Sequence, residues 1–192
     1  KRQIAQELEC NFNSSGETVL QAEDMEWTLS CVTEPTYRTG FDRNFWIWEK
    51  YQDDSKYLLV ADVARGDGAD YSVFHVIKLQ TMEIVAEYQG KPTLDHYADI
   101  LFDAGREYGN CLLVVENNGI GISVLEKLIN KEYPNLYYSI KGSHEYIEQH
   151  KAQYSSNSVP GFTNSSKTRP LIVAKMEEYI RNKLIIVRSS RL

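Results

Sequence analysis

A chain of 192 residues with 42% apolar side chains can bury one substantial core and carry a small appendage, and no segment has the low-aromatic, highly charged composition of a disordered tail. No apolar run reaches the length of a membrane span, and Lys1-Arg2-Gln3-Ile4-Ala5-Gln6-Glu7 reads as a charged helix, which argues for a soluble, non-secreted protein. Three cysteines, Cys10, Cys31 and Cys111, are odd in number and lack a C-x-x-C pair, so a reducing compartment is expected and a zinc site is not.

The net charge of −6 is unevenly spread. Between Lys141 and Leu192 nine Lys or Arg stand against four Glu, a net +5 that leaves −11 on residues 1–140. An acidic body joined to a basic C-terminal third suits an enzyme that gathers cations with carboxylates and holds phosphates with its other flank.

In chain order, Arg2 to Phe12 reads as a helix, followed by the turn-rich Asn13-Ser14-Ser15-Gly16. Residues up to about Lys50 hold three tryptophans and no clear period, so residues 1–50 are expected to form a linker or strap and 51–192 the main fold. Tyr57 to Val63 is a near-continuous apolar run of strand length, broken by Asp62 at its carboxyl end, as a strand covered on both faces would be. A Gly/Asp-rich loop, Arg65 to Asp70, leads to the strand-like Tyr71–Ile77 and then to Glu83–Tyr88.

Pro92-Thr93 is a natural helix start, and Leu94, Tyr97, Ala98, Leu101, Phe102 and Gly105 then follow the spacing of an amphipathic helix that stops at Gly109. Cys111–Val115 is another buried strand, with Cys111 acting as a small hydrophobe and Glu116 at its end. Ile120, Val124, Leu125, Leu128 and Ile129 mark a second helix, and Leu136–Ile140 a fifth strand. Beyond lie a polar loop from about Gly142 to Thr168, a helix from Pro170 to about Asn182, and Ile185-Ile186-Val187 as a short further strand. The order β-β-β-α-β-α-β, with helical crossovers before the last two strands, predicts an α/β fold with a mixed central sheet on the ribonuclease H-like plan.

An ionisable group at the end of a buried strand must be neutralised, hydrogen-bonded or metal-bound. In this topology Asp62 and Glu116 end neighbouring strands on one edge of the sheet. With a third acid they would hold two divalent ions about 3.5–4 Å apart for phosphodiester hydrolysis, and oxygen-only ligands point to Mg²⁺ or Mn²⁺. The competing reading makes Asp62 the cap of a turn and Glu116 the cap of the next helix. Asp67 suits a surface turn, and Asp70 starts the second strand.

An EF-hand fails, because Ala64, Gly66 and Val73 stand where oxygen donors are needed. No P-loop pattern is present. Asp99 and Asp103 belong to a solvated helix face or reach a metal, His144 and His150 have no second ligand at metal spacing, and Lys167, Thr168 and Arg169 precede a helix start where a DNA phosphate could sit.

The string Val60 to Val73 resembles the first nuclease motif of large terminase subunits of tailed, T-even-type phages, and Leu113-Val114-Val115-Glu116-Asn117-Asn118-Gly119 resembles their second acidic motif. Gly161 to Asn164 and Lys167 to Lys175 are similar to the stretch that follows. The resemblance implies a ribonuclease H-like endonuclease that cuts concatemeric double-stranded DNA when packaging starts and when the head is full. Asp62 and Glu116 would be metal ligands, with Asp62 bridging the ions and Asp70 an accessory acid.

The resemblance also implies an N-terminal ATPase domain, a portal and a small terminase subunit as partners, in the host cytoplasm. The family's third aspartate lies downstream of a segment like Arg188-Ser189-Ser190-Arg191, so the expectation is a nuclease domain cut short of it. The alternatives from other classes are a DNA-gripping or docking module in which the acids are structural, and a Holliday-junction-resolvase-like nuclease.

Overall fold

Near-continuous apolar runs of strand length favour a buried sheet, and the computed structural model, which describes residues 20–66, 68–140 and 157–191, builds it from six strands. Helix α1 (Ala22–Ser30) leads to β1 (Tyr37–Thr39), a short 3-10 turn (Phe41–Arg43), β2 (Phe45–Ile47), β3 (Tyr57–Asp62), β4 (Ser72–Lys78) and β5 (Glu83–Gly90). Helix α2 (Leu94–Glu107), β6 (Leu112–Val115), α3 (Gly121–Asn130), β7 (Tyr138–Ile140), β8 (Ser158–Pro160) and α4 (Thr168–Arg181) follow. The helix and turn expected over residues 2–16, and the polar stretch 141–156, lie outside the described residues.

The sheet order is β1-β2-β5-β4-β3-β6. Strands β3, β4 and β5 form the antiparallel meander, and β6, reached through α2, pairs parallel to β3 from Leu58–Leu112 to Ala61–Val115. This is the α/β mixed sheet expected from the pattern. Three differences concern its edges.

The Trp-rich lead-in is not a separate strap at residues 37–47: β1 and β2 extend the same sheet, with Phe45, Trp46 and Ile47 opposite Tyr88, Glu87 and Ala86. These strands are three residues long, too short for a legible period. The expected fifth strand touches β6 through one parallel bridge, Leu113 to Leu136, and β7 then pairs antiparallel with β8 in a second, two-stranded sheet. Ile185–Val187 forms a single parallel bridge, Glu83 to Ile186, rather than a strand.

Residues alternate across each strand, so Leu59, Ala61, Phe74, Val76 and Leu113 face the helices and are almost wholly buried. Against them pack Tyr97, Ala98 and Leu101 of α2 and Val124, Leu125 and Leu128 of α3, and Cys111 joins this core as the hydrophobe expected. Thr93 caps α2 by accepting from the His96 amide. The buried Tyr97 hydroxyl donates to the carbonyls of Asp62 (3.1 Å) and Val73 (2.7 Å), and burial raises its pKa well above the ordinary phenol value.

On the other face, register aligns Trp46, Glu87, His75, Val60 and Val114 in one row across five strands. Glu87 is 1% exposed. Burial by itself would raise its pKa, but hydrogen bonds from His75 (3.2 Å) and Ser189, with the charges of His75 and Arg191, leave it below the ordinary carboxylate range. Arg191 also lies over the Trp46 ring, 3.4 Å from its centroid, so Glu87 fastens residues 185–191 over this side of the sheet.

Two stability outcomes are expected. Leu113→Ala should cost about 2–5 kcal/mol in chemical denaturation, because the cavity opens between β3 and both core helices. A carboxylate whose folded pKa is depressed adds stability that is present above its unfolded value and lost as pH falls through the folded one. Glu87→Gln should therefore lower the melting temperature most above about pH 5, and the gap to wild type should close on further acidification. A pH-independent gap would show that Glu87 acts by shape alone.

Candidate metal and nucleic-acid site

The parallel pairing of β3 and β6 brings their carboxyl ends to the same edge, and there the chain leaves Asp62 and Glu116 on adjacent strands. Each lies two residues beyond a member of the aligned row, Val60 or Val114, so both acids project on the same face. The two strand ends are neighbours, as the topology read from the sequence expects.

The backbone around both acids is heavily tied. The Glu116 amide donates to the Ala61 carbonyl (3.0 Å), and Glu116 pairs on its other side with Phe162. The Asn117 amide donates to Phe162 (2.9 Å), Phe162 returns a bond to Val115 (2.8 Å), and the buried Asn117 side chain donates to the Pro160 carbonyl (3.0 Å). Gly161, at φ +78, passes so close to the Val115 carbonyl and Leu125 that a side chain there would collide with both.

The loop after Asp62 is held as firmly. Buried Ser72 accepts from the Ala64 amide (3.0 Å) and donates to its carbonyl (3.3 Å), Tyr97 grips the Asp62 carbonyl, and Lys91 donates to the Gly68 carbonyl (2.9 Å). Gly66, at φ +83, abuts the Pro92 carbonyl.

The carboxylates themselves are left largely free. Among the described residues Asp62 Oδ1 accepts only from the neighbouring Val63 amide (2.8 Å), a turn contact compatible with any role. Glu116 does not cap α3, whose N-cap is Ile120 without a side-chain bond; its Oε1 accepts from Asn118 (3.0 Å). Among the described residues, Asp62, Asp70 and Glu116 have no salt-bridge partner.

Asp62 and Asp70 line one open cleft of about 490 Å³ with Arg65, Tyr71 and Ile120. Glu116 stands at the adjoining strand end rather than in that lining. No three His, Cys, Asp or Glu side chains converge as a metal centre among the described residues. Asp67 lies outside the described residues. Asp99 pairs with Lys131 and Asp95 with Lys127, so the α2 acids nearest α3 serve as interhelical ion pairs.

The basic candidates approach the acids through a side chain that pattern reading passed over. Asn118 Nδ2 donates both to Glu116 and to the Asn164 carbonyl (2.6 Å), tying the acidic strand end to the segment that enters α4. Lys167 and Arg169 there are exposed. Thr168 is engaged internally: its hydroxyl accepts from the Ser165 amide (2.8 Å) and its amide donates to Ser165 Oγ (3.1 Å), a reciprocal cap that starts the helix. Arg65 and Tyr71 in the cleft also escaped the sequence reading, since exposed residues in a turn carry no periodic signal; only adjacency to Asp62 and Asp70 marks them.

No protein-family model matches the chain. Solved structures do resemble it. The large terminase nuclease of thermophilic phage G20c with bound magnesium superposes with a TM-score of 0.64 over 92% of this chain and 77% of that one, at 17% identity. The same nuclease with bound zinc gives 0.59 over 84% and 78%, at 18% identity. The large terminase nuclease domain of Thermus phage P74-26 gives 0.58 over 85% and 71%, at 18% identity. The chain therefore has the ribonuclease H-like fold of terminase nuclease domains.

Glycines at this edge offer a test of its packing. A Cβ on Gly121 would fall inside the van der Waals shell of the Glu116 carbonyl, whereas one on Gly68 would meet open space. Gly121→Ala is expected to cost about 1–3 kcal/mol in urea unfolding, and Gly68→Ala to stay within about 0.5 kcal/mol of wild type. Equal effects at the two positions would contradict the close approach of α3 to Glu116.

Proposed function

We propose that this chain is the nuclease domain of a DNA-packaging large terminase, a metal-dependent endodeoxyribonuclease that cuts concatemeric double-stranded DNA as packaging begins and ends. One observation carries the reading: parallel β3 and β6 end side by side in two acids that have no salt-bridge partner among the described residues. A bare carboxylate pair at a sheet edge otherwise repels itself, and ligation of a cation is the ordinary remedy. The shared fold with nuclease domains crystallised with magnesium, cobalt and zinc adds support.

The donors fit a hard divalent ion, Mg²⁺ or Mn²⁺, because the cleft offers carboxylate oxygens and neither thiolate nor imidazole. Asp62 and Glu116 would hold it, with Asp70 an accessory acid on the same cleft. Bound there, such ions supply an activated water and neutralise charge on the leaving oxygen of the phosphodiester.

The chain's own groups do the rest. Asn118 orients one Glu116 oxygen, and Tyr97 with Ser72 holds the strand end rigid, so the acids need little reordering when substrate arrives. Lys167 and Arg169 would contact DNA phosphates, with Thr168 contributing through its cap. In this reading the domain works with an ATPase domain, a portal and a small terminase subunit in the host cytoplasm. No helix among the described residues is long and apolar enough to cross a membrane.

Asp62→Ala or Glu116→Ala is expected to abolish Mg²⁺-dependent nicking of supercoiled DNA while the circular-dichroism melt stays within a few degrees of wild type; undiminished nicking would refute the assignment. Lys167→Ala and Arg169→Ala should each lower DNA affinity uniformly across sequences and reduce the slope of log affinity against log salt by about 1. Binding that ignores divalent ions, with nicking absent under all conditions, would instead favour a DNA-gripping module.

A further inference from the structure

A second and larger cavity, about 690 Å³, shares only Tyr71 with the carboxylate cleft. It lies between the β1–β2 hairpin, the β5–α2 connection and one side of α2. Phe45, Tyr88, Ile100 and Ala104 give it an apolar lining. Phe41 also lines it yet is 80% exposed, on a hairpin tip where Asp42 and Arg43 both hold φ +54. A large aromatic side chain left in water by a strained turn is a feature of binding surfaces rather than of cores.

The groove carries three acids among its polar groups, with Lys91 and His96 as its basic ones. Asp42, Asp103 and Glu107 line it without a salt-bridge partner among the described residues, whereas the other two acids along α2, Asp95 and Asp99, are paired to α3. Lys91, the lining's one lysine, is already occupied by the Gly68 carbonyl and lies 4.6 Å from the Tyr71 ring centroid. Asn44, also in the lining, has a buried Oδ1 with no hydrogen-bond partner. Three negative charges repel a phosphate backbone and attract cationic donors, and the apolar lining asks for an apolar anchor.

We propose that this groove docks a partner protein through a basic polypeptide segment, which seats an aliphatic or aromatic side chain against Phe41, Phe45 and Ile100 and offers Lys or Arg to Asp42, Asp103 and Glu107. The proposal does not depend on the nuclease reading. It has a consequence for that site all the same, because Lys91 and Pro92 line the groove and also brace the loop that leads to Asp70.

The probe is a fluorescein-labelled nonapeptide of alternating arginine and leucine around a central tryptophan, titrated with the protein and followed by anisotropy at low salt. A single-stranded nonanucleotide carrying the same label runs in parallel. Binding of the peptide is expected, about fivefold or more weaker for Asp103→Asn combined with Glu107→Gln, weaker also for Phe41→Ala, and unchanged for Asp95→Asn combined with Asp99→Asn. All three variants alter exposed side chains, and thermal melts establish that each is folded. Absence of peptide binding, an equal loss in the Asp95/Asp99 variant, or indifference to Phe41→Ala overturns the proposal. So does oligonucleotide binding that Phe41→Ala removes while the peptide fails to bind, which would make the groove a nucleic-acid site.

Discussion

Four residue pairs run in parallel where β3 meets β6, from Leu58 with Leu112 to Ala61 with Val115, and the Glu116 amide extends that ladder by one bond to Ala61. Parallel pairing requires a crossover, and α2 supplies it while covering the buried face with Tyr97, Ala98 and Leu101. Because both strands point the same way, both terminal acids reach the same edge. An antiparallel pairing of the same two runs would have sent them to opposite ends. The placing of both acids is thus a consequence of strand direction, which the crossover helix and its packing enforce.

The structure treats its acids in two contrasting ways on one sheet face. Glu87 is buried and provided with His75, Ser189 and Arg191, so its charge is balanced and it serves to fasten the final segment. Asp62, Asp70 and Glu116 are more exposed and have no salt-bridge partner among the described residues, while the backbone at Asp62, Ala64, Glu116 and Asn117 is hydrogen-bonded. Rigid main chain with unneutralised side chains is the arrangement that preorganises a ligand site, since the cost of bringing like charges together is met by folding before any ligand arrives.

Charge also organises the chain at larger scale. The basic third and the acidic body meet at Asn118, whose single amide nitrogen serves both Glu116 and the segment entering α4. The exposed Lys167 and Arg169 therefore lie a few residues along the chain from a fixed point beside the acids. The acids on the far side of α2, Asp103 and Glu107, face a separate apolar groove, so the negative charge of the body is divided between two surfaces of different character.

Residue pattern alone was enough for β3 through α3, because strands of four to eight residues and an amphipathic helix bury enough side chains to impose a visible period. Asp62 and Glu116 were legible for the same reason, as charges interrupting apolar runs. What tertiary structure decided were the parts with little local signal. Three-residue strands such as β1 and β2 draw their stability from a neighbour, and β7 chose β8 over a place in the main sheet through contacts between segments far apart in sequence. The role of Asn118, the internal cap formed by Thr168, and the division of α2's acids between ion pairs and an open groove depend on which elements come together. Those distances belong to the fold as a whole, and no window of sequence contains them.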